Sequence, residues 1–214
     1  MNGDEICQAK SSKVLLVEGK KDCRVVRALQ EHHGMLDYFG IFQCNGEDGV
    51  LKRLNALIPA PESERPIVIG VLLDADTAAI GDRWRQLESK LMKHGYDLPQ
   101  APEPMGTIIE HAPQPKIGIW LMPDNQSTGM LEDFLLRTID VNHVEVATIA
   151  VRQAKEAGVA TFRDVHTSKA TIHTYLAWQD EPATPLGLAI TAHILSVECE
   201  LCDNFVAWLR LLFG

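Results

Sequence analysis

The chain has no uninterrupted apolar stretch approaching the ~20 residues that a membrane-spanning helix requires. Its opening segment, MNGDEICQAKSSK, is polar and lacks an apolar core, so we expect no secretory signal. It also has neither a Gly-x-x-x-x-Gly-Lys nor a Gly-x-Gly-x-x-Gly motif, which argues against an ATPase or a dinucleotide cofactor in this chain. Together these absences favour a cytoplasmic protein that does not enter the membrane.

Cysteine is scarce, and the five residues are irregularly spaced: Cys7, Cys23, Cys44, Cys199 and Cys202. An odd number of cysteines does not describe a disulfide framework, so we expect free thiols. Cys199 and Cys202 form a Cys-x-x-Cys pair, but a structural zinc site needs four ligands and the sequence has no second pair. The sequence therefore does not favour a zinc site.

Positive charge is also limited, because 20 Lys and Arg residues face 29 Asp and Glu residues, giving a net charge of −9. This disfavours a general nucleic-acid coat protein, which is typically basic. It does not exclude a nuclease, because the carboxylates of a metal site add negative charge that bound cations neutralise.

Short apolar runs alternate with amphipathic segments over residues 1–140. The runs predict strands at Lys13–Glu18, Leu36–Asn45, Ile67–Asp76, Thr107–Glu110 and Lys116–Met122. The intervening segments predict helices at Lys20–His33, Asp48–Ile58, Arg83–His94 and Gly129–Arg137. This alternation predicts an α/β fold with a mostly parallel sheet that helices cover on both faces.

Beyond Val141 the pattern contains only helices, predicted at Asn142–Gly158, Ser168–Trp178, Leu186–Glu198 and Leu201–Leu212. We therefore expect two parts, an α/β core over residues 1–140 and a helical C-terminal extension over residues 141–214 that packs on the core.

Three carboxylates follow predicted strands. Glu18 ends the first strand, Asp74 ends the third, and Asp76 lies two residues further, where a still-extended chain would point its side chain the same way as that of Asp74. Working groups of parallel sheets lie at the carboxyl ends of the strands. Clustered carboxylates repel one another unless a cation lies between them, and oxygen ligands suit Mg²⁺ or Mn²⁺.

Two segments that carry these carboxylates resemble the motifs of toprim domains. LLVEGKKD (Leu15–Asp22) is similar to the first motif and VLLDADTAAIG (Val71–Gly81) to the second. Toprim domains occur in topoisomerases, bacterial primases, recombination proteins and OLD-family nucleases. The resemblance implies a toprim-like fold, with Glu18 as general acid/base or metal ligand and Asp74 and Asp76 as metal ligands.

A third segment, IGIWLMPDNQSTGMLEDFLL (Ile117–Leu136), resembles the third acidic element of OLD-type toprim domains. This implies Glu132 as a further metal ligand, with Asp124 or Asp133 near it. The alternative is a helix start whose acidic residues face the positive end of the helix dipole.

The chain as a whole resembles a small group of bacterial toprim-like proteins, through features such as KATIHTYLAWQDEP (Lys169–Pro182). OLD nucleases place a catalytic lysine after the toprim core, and the resemblance implies that Lys169 has this role.

Basic residues follow the Glu-Gly turn. Lys20, Arg24 and Arg27 are spaced to share one helix face, where Lys20 and Arg24 in particular would bind phosphate groups. The alternative is a solvated helix face. His166 and His173 are candidate ligands or proton carriers, although histidines in helices are more often structural.

Three functions fit these patterns. The first is a Mg²⁺-dependent or Mn²⁺-dependent phosphodiesterase that cuts DNA or RNA. The second is a toprim-fold binding or regulatory module without turnover, whose site a nucleotide or a partner protein occupies. The sequence is also compatible with a homodimer. The third is a haloacid-dehalogenase-type phosphohydrolase with Asp74 as nucleophile, which leaves Glu18 without a role.

Overall fold

A central sheet organises the computed structural model, which describes residues 7–76 and 79–214. The strands are β1 (Lys13–Val17), β2 (Gly40–Gln43), β3 (Val68–Asp74), β4 (Thr107–Ile109) and β5 (Lys116–Met122). Their order is β2-β1-β3-β5-β4, and every neighbouring pair is parallel except β4 with β5. The predicted α/β class with a mostly parallel sheet is confirmed.

Helices cover both faces of this sheet. In the described residues they are α1 (Lys20–His32), α2 (Glu47–Leu57), α3 (Ile80–Leu91), α4 (Leu131–Leu136), α5 (Val141–Glu156), α6 (Thr167–Ala177), α7 (Leu186–Thr191) and α8 (Glu200–Phe213). None of them combines the length and apolarity needed to cross a membrane.

The side chains of β3 alternate between two hydrophobic cores, as the two-residue period of a strand requires. Leu72 belongs to the core that includes residues of α1, α7 and α8. Val71 and Leu73 belong to the other core, together with residues of α2 and α3. The continuous apolar run of β3 therefore reflects a strand that is buried on both faces.

Two glycines allow the last helix to lie directly on the sheet. Gly70 of β3 and Gly118 of β5 are paired in register. A Cβ atom at Gly118 would overlap the side chain of Leu212, and one at Gly70 would lie 2.8 Å from the Phe213 ring. α8 thus packs on the sheet and shares one core with α1.

Two predicted elements are much shorter in the structure. β2 begins at Gly40 because the preceding residues form a turn, in which the N–H of Tyr38 donates to Met35. α7 ends at Thr191, before a left-handed residue, His193.

The expectation of five free thiols is wrong for two of them, because Cys7 and Cys23 form a disulfide. The chain before β1 runs beside β2, where the N–H of Gln43 donates to the Cys7 carbonyl at 2.9 Å. This pairing brings Cys7 to α1, which carries Cys23. A sequence pattern does not reveal such a contact, because it depends on how the edge of the sheet is paired.

Candidate functional site

Glu18 and Asp74 meet at the carboxyl edge of the sheet. Glu18 follows β1 and Asp74 ends β3, the neighbouring strand. The backbone N–H of Asp74 donates to Glu18 Oε1 at 2.9 Å. Asp74 Oδ1 in turn accepts a 2.9 Å hydrogen bond from the N–H of Leu131, the first residue of α4. Each carboxylate is therefore held through one oxygen by a backbone amide.

Asp22 is a third carboxylate at this edge, although sequence reasoning placed it only within a motif and assigned it no role. It lies in the first turn of α1, where its Oδ2 accepts a 2.9 Å hydrogen bond from the N–H of Gly19. Its charge acts on both Glu18 and Asp74. The signal available in the sequence was the position of Asp22, four residues after Glu18 and in the first turn of the helix that follows it.

Burial, reinforced by the charges of neighbouring carboxylates, raises the pKa values of all three groups. Burial raises the pKa of Asp74 to about 9, reinforced by the charges of Asp22, Glu18 and Glu132. Burial likewise raises the pKa of Glu18 to about 7 against the opposing hydrogen bond from Asp74. The pKa of Asp22 rises to about 6, again chiefly through burial. Negative charge at this edge is thus costly without further cations.

Asp76 does not follow Asp74 along an extended strand, so that expectation is wrong. The residue is left-handed, with φ of 54°, and its backbone forms an isolated bridge with Gly129. Its side chain pairs with Arg83 at 3.2 Å, and Arg83 also pairs with Glu47. The chain therefore turns at Asp76, and Arg83 provides the counter-charge for the Asp76 carboxylate. The negative charge of Asp76 still helps to raise the pKa of the nearby Glu18.

Glu132 lies on α4 next to this cluster and has only 3% of its surface exposed. Lys21 Nζ lies 3.7 Å and Lys169 Nζ lies 3.6 Å from its Oε1. His173 follows one turn after Lys169 on α6, and its Nε2 lies 3.4 Å from Lys21 Nζ. Burial and the two lysines lower the pKa of His173. Lys21 was not among the residues that the sequence pointed to.

The remaining predicted site residues lie in different places. Lys20 lines a cleft of about 470 Å³ together with Glu18, Asp22 and Asp74. Arg24 instead lines a separate cleft between α1 and α7, together with Arg27 and the Cys7–Cys23 disulfide.

Two other candidate residues from the sequence also lie away from the carboxylate cluster. His166 lies beside Arg163, with 3.3 Å between their side-chain nitrogens. Asp124 pairs with Arg137 and caps the turn at Ser127.

The donor chemistry of the cluster fits a hard divalent cation, because Glu18, Asp22 and Asp74 offer carboxylate oxygens whose mutual repulsion a cation would relieve. The present side-chain positions do not form a ligand cage. Over residues 7–76 and 79–214, no group of three or more His, Cys, Asp or Glu side chains is arranged to hold a metal ion.

Comparison with known proteins identifies a family. The model of the family described as "Protein of unknown function (DUF3226)" matches residues 12–214. The chain belongs to this family. No curated protein and no solved structure matches the chain.

Proposed function

We propose that this DUF3226 protein is a Mg²⁺-dependent or Mn²⁺-dependent phosphodiesterase that cuts DNA or RNA, with a toprim-like core in the cytoplasm. The observation that carries the proposal is the convergence of Glu18, Asp22 and Asp74 in one cleft at the carboxyl edge of a parallel sheet. The cluster combines raised pKa values with oxygen donors, which suits a site that is completed by a dication.

The residues divide into an acidic and a basic side. Glu18, Asp22 and Asp74 would hold the cation, which when bound polarises a phosphate and activates water. Lys169 and Lys21 lie beside Glu132 and present positive charge next to these carboxylates. They would bind the phosphodiester and stabilise the negative charge that develops on it. In this arrangement Glu132 orients the two lysines.

Metal binding and cleavage are tested separately. For binding, metal-free protein is titrated with Mn²⁺, and the free Mn²⁺ is measured by electron paramagnetic resonance. For cleavage, the protein is incubated with labelled single-stranded and double-stranded DNA and RNA. We expect Glu18→Gln and Asp74→Asn each to weaken Mn²⁺ binding at least ~10-fold, because each removes one anionic ligand. The exposed Glu62→Gln and Asp97→Asn are the matched controls. Unchanged cleavage in both site variants would overturn the proposal.

A binding module without turnover is the second candidate. It is favoured by the lack, among the described residues, of a ready-made group of three metal ligands, and by the pairing of Asp76 with Arg83. Saturable nucleotide binding that needs no metal, without any cleavage, would support it. A phosphorylated Asp74 is disfavoured, because it would leave Glu18, which accepts a hydrogen bond from the Asp74 backbone, without a role.

A further inference from the structure

A second polar groove lies at the opposite edge of the sheet, and no role suggested so far involves it. It has a volume of about 660 Å³ and lies where β1 and β3 begin. We call it the amino-edge groove, and its polar lining includes Lys10, Ser11, Ser12, Arg53, Ser63 and Arg65. Its volume is in the range of small-molecule sites, which are typically ~300–1,000 Å³.

The charge of this groove is opposite to that of the chain. Three cations line it, Lys10, Arg53 and Arg65, against one carboxylate, Glu64. The whole chain has a net charge of −9. Within the described part of the chain, none of the three cations forms an ion pair. An acidic protein that leaves three cations unpaired in one groove presents a site for an anion.

Arg53 lines the groove with its guanidinium against an aromatic ring. Its guanidinium lies over the ring of Phe42, with Cζ 3.8 Å from the ring centroid. This stacking covers one face of the guanidinium and leaves its N–H groups directed along the plane. The buried Nε of Arg53 has no hydrogen-bond partner among the described residues. Because this nitrogen is inaccessible, a ligand would be bound by the terminal nitrogens, whose planar fork matches two oxygens of a phosphoryl group.

Arg65 is fixed on the other side of the groove. Its two terminal nitrogens donate to Gln114 Oε1 at 3.3 Å and to the Pro113 carbonyl at 3.2 Å. These acceptors are neutral, so the positive charge of Arg65 remains available to a ligand. Serines 11, 12 and 63 add hydroxyl groups to the lining.

We infer that the amino-edge groove binds a small anionic ligand through a phosphoryl group, with Arg53 as its main contact. The groove is separate from the carboxylate cluster, because β1 of five residues at ~3.3 Å each spans the sheet between the two edges. The inference therefore does not depend on the proposed nuclease activity.

Pyrophosphate is a suitable probe, and its binding is measured by isothermal titration calorimetry with the full chain in EDTA, which removes metal-mediated binding elsewhere. We expect saturable binding that Arg53→Gln weakens ~10-fold or more, because the substitution removes a charge-assisted hydrogen bond. Arg53→Lys keeps the charge without the planar fork, and we expect it to bind several-fold more weakly than the wild type. The exposed Arg152→Gln and Lys93→Gln are controls that should bind like the wild type.

Circular dichroism checks that each variant folds. Should Arg53→Gln fail to fold, the exposed Lys10→Gln provides the same test with a smaller expected loss. Binding that is absent, or equal in the wild type and both variants, would overturn the inference. Binding that Lys169→Gln abolishes and Arg53→Gln leaves intact would place the phosphoryl site in the other cleft and overturn the inference. If Arg53→Gln weakens the binding of oligonucleotides but not that of pyrophosphate, the inference is also overturned, and the groove is a nucleic-acid surface.

Discussion

The backbone N–H of Asp74 donates a 2.9 Å hydrogen bond to Glu18 Oε1 and so joins residues that are 56 positions apart. The bond holds the Glu18 carboxylate beside the backbone of Asp74. It also explains why the pKa of Glu18 rises less than burial alone would raise it, because a backbone donor favours the charged form.

The raised pKa values predict that the metal-free protein loses stability as the pH rises. Between an unfolded pKa near 4 and the folded values of about 7 for Glu18 and about 9 for Asp74, the folded state holds protons that the unfolded state has released. Raising the pH through this window therefore favours unfolding. Urea unfolding in EDTA from about pH 5 to about pH 9 measures the effect.

Asp74→Asn isolates one group in this experiment, because asparagine keeps an acceptor for the N–H of Leu131 but does not titrate. We expect its free energy of unfolding to fall less steeply with pH, by up to ~1.4 kcal/mol per pH unit. The exposed Asp97→Asn should follow the wild type. Parallel curves for the wild type and Asp74→Asn would contradict the raised pKa.

The pairing of Glu132 with two lysines predicts energetic coupling. Lys169→Met leaves a buried carboxylate with one cation fewer, so we expect it to lower the free energy of unfolding by about 1 kcal/mol. In a Glu132→Gln background the same change should cost much less. A double-mutant cycle in urea measures the coupling, with the exposed Lys93→Met as control. A coupling energy of zero would show that the ion pair has no energetic role.

The disulfide predicts two measurable properties of the protein. Under non-reducing denaturing conditions, alkylation followed by mass spectrometry should modify three cysteines, Cys44, Cys199 and Cys202, and after reduction all five. Closing a loop with a sequence separation of 16 stabilises a protein by about 3 kcal/mol, so reduction should lower the Tm. Cys44→Ser is the control that should keep this response. Five alkylated cysteines without reduction would contradict the bond.

The close approach of α8 predicts that the glycines beneath it do not tolerate a methyl group. Gly118→Ala places a Cβ against Leu212, and we expect it to lower the free energy of unfolding by about 1–3 kcal/mol. Gly81→Ala on α3 is the matched control, because its Cβ would lie 3.6 Å from Arg85 and alanine favours a helix. Equal stability of the two variants in urea would contradict the packing of α8.

Most elements could be predicted because their signals are local. The apolar run of β3, the glycine after α1 and the helical periodicity of the C-terminal third all act over a few residues. The start of β2 and the end of α7 were misplaced, because turns near Tyr38 and His193 interrupt apolar segments that look continuous.

The candidate site was predicted only in part. Glu18 and Asp74 were paired correctly, since both end strands that parallel pairing places side by side. Asp76 was expected beside them, but its left-handed conformation redirects it to Arg83. Asp22 and Lys21 received no role because their contacts depend on how α1 sits against α4 and α6.

By itself, the sequence determined the α/β class, the carboxylates at the ends of two strands and the helical C-terminal part. Burial patterns and turn residues encode these features within short windows. Tertiary structure alone decided that Asp22 joins the cluster, that two lysines neutralise Glu132, that Cys7 reaches Cys23, and that three cations gather at the amino edge. These outcomes depend on strand order and helix packing, which bring together residues that no local pattern connects.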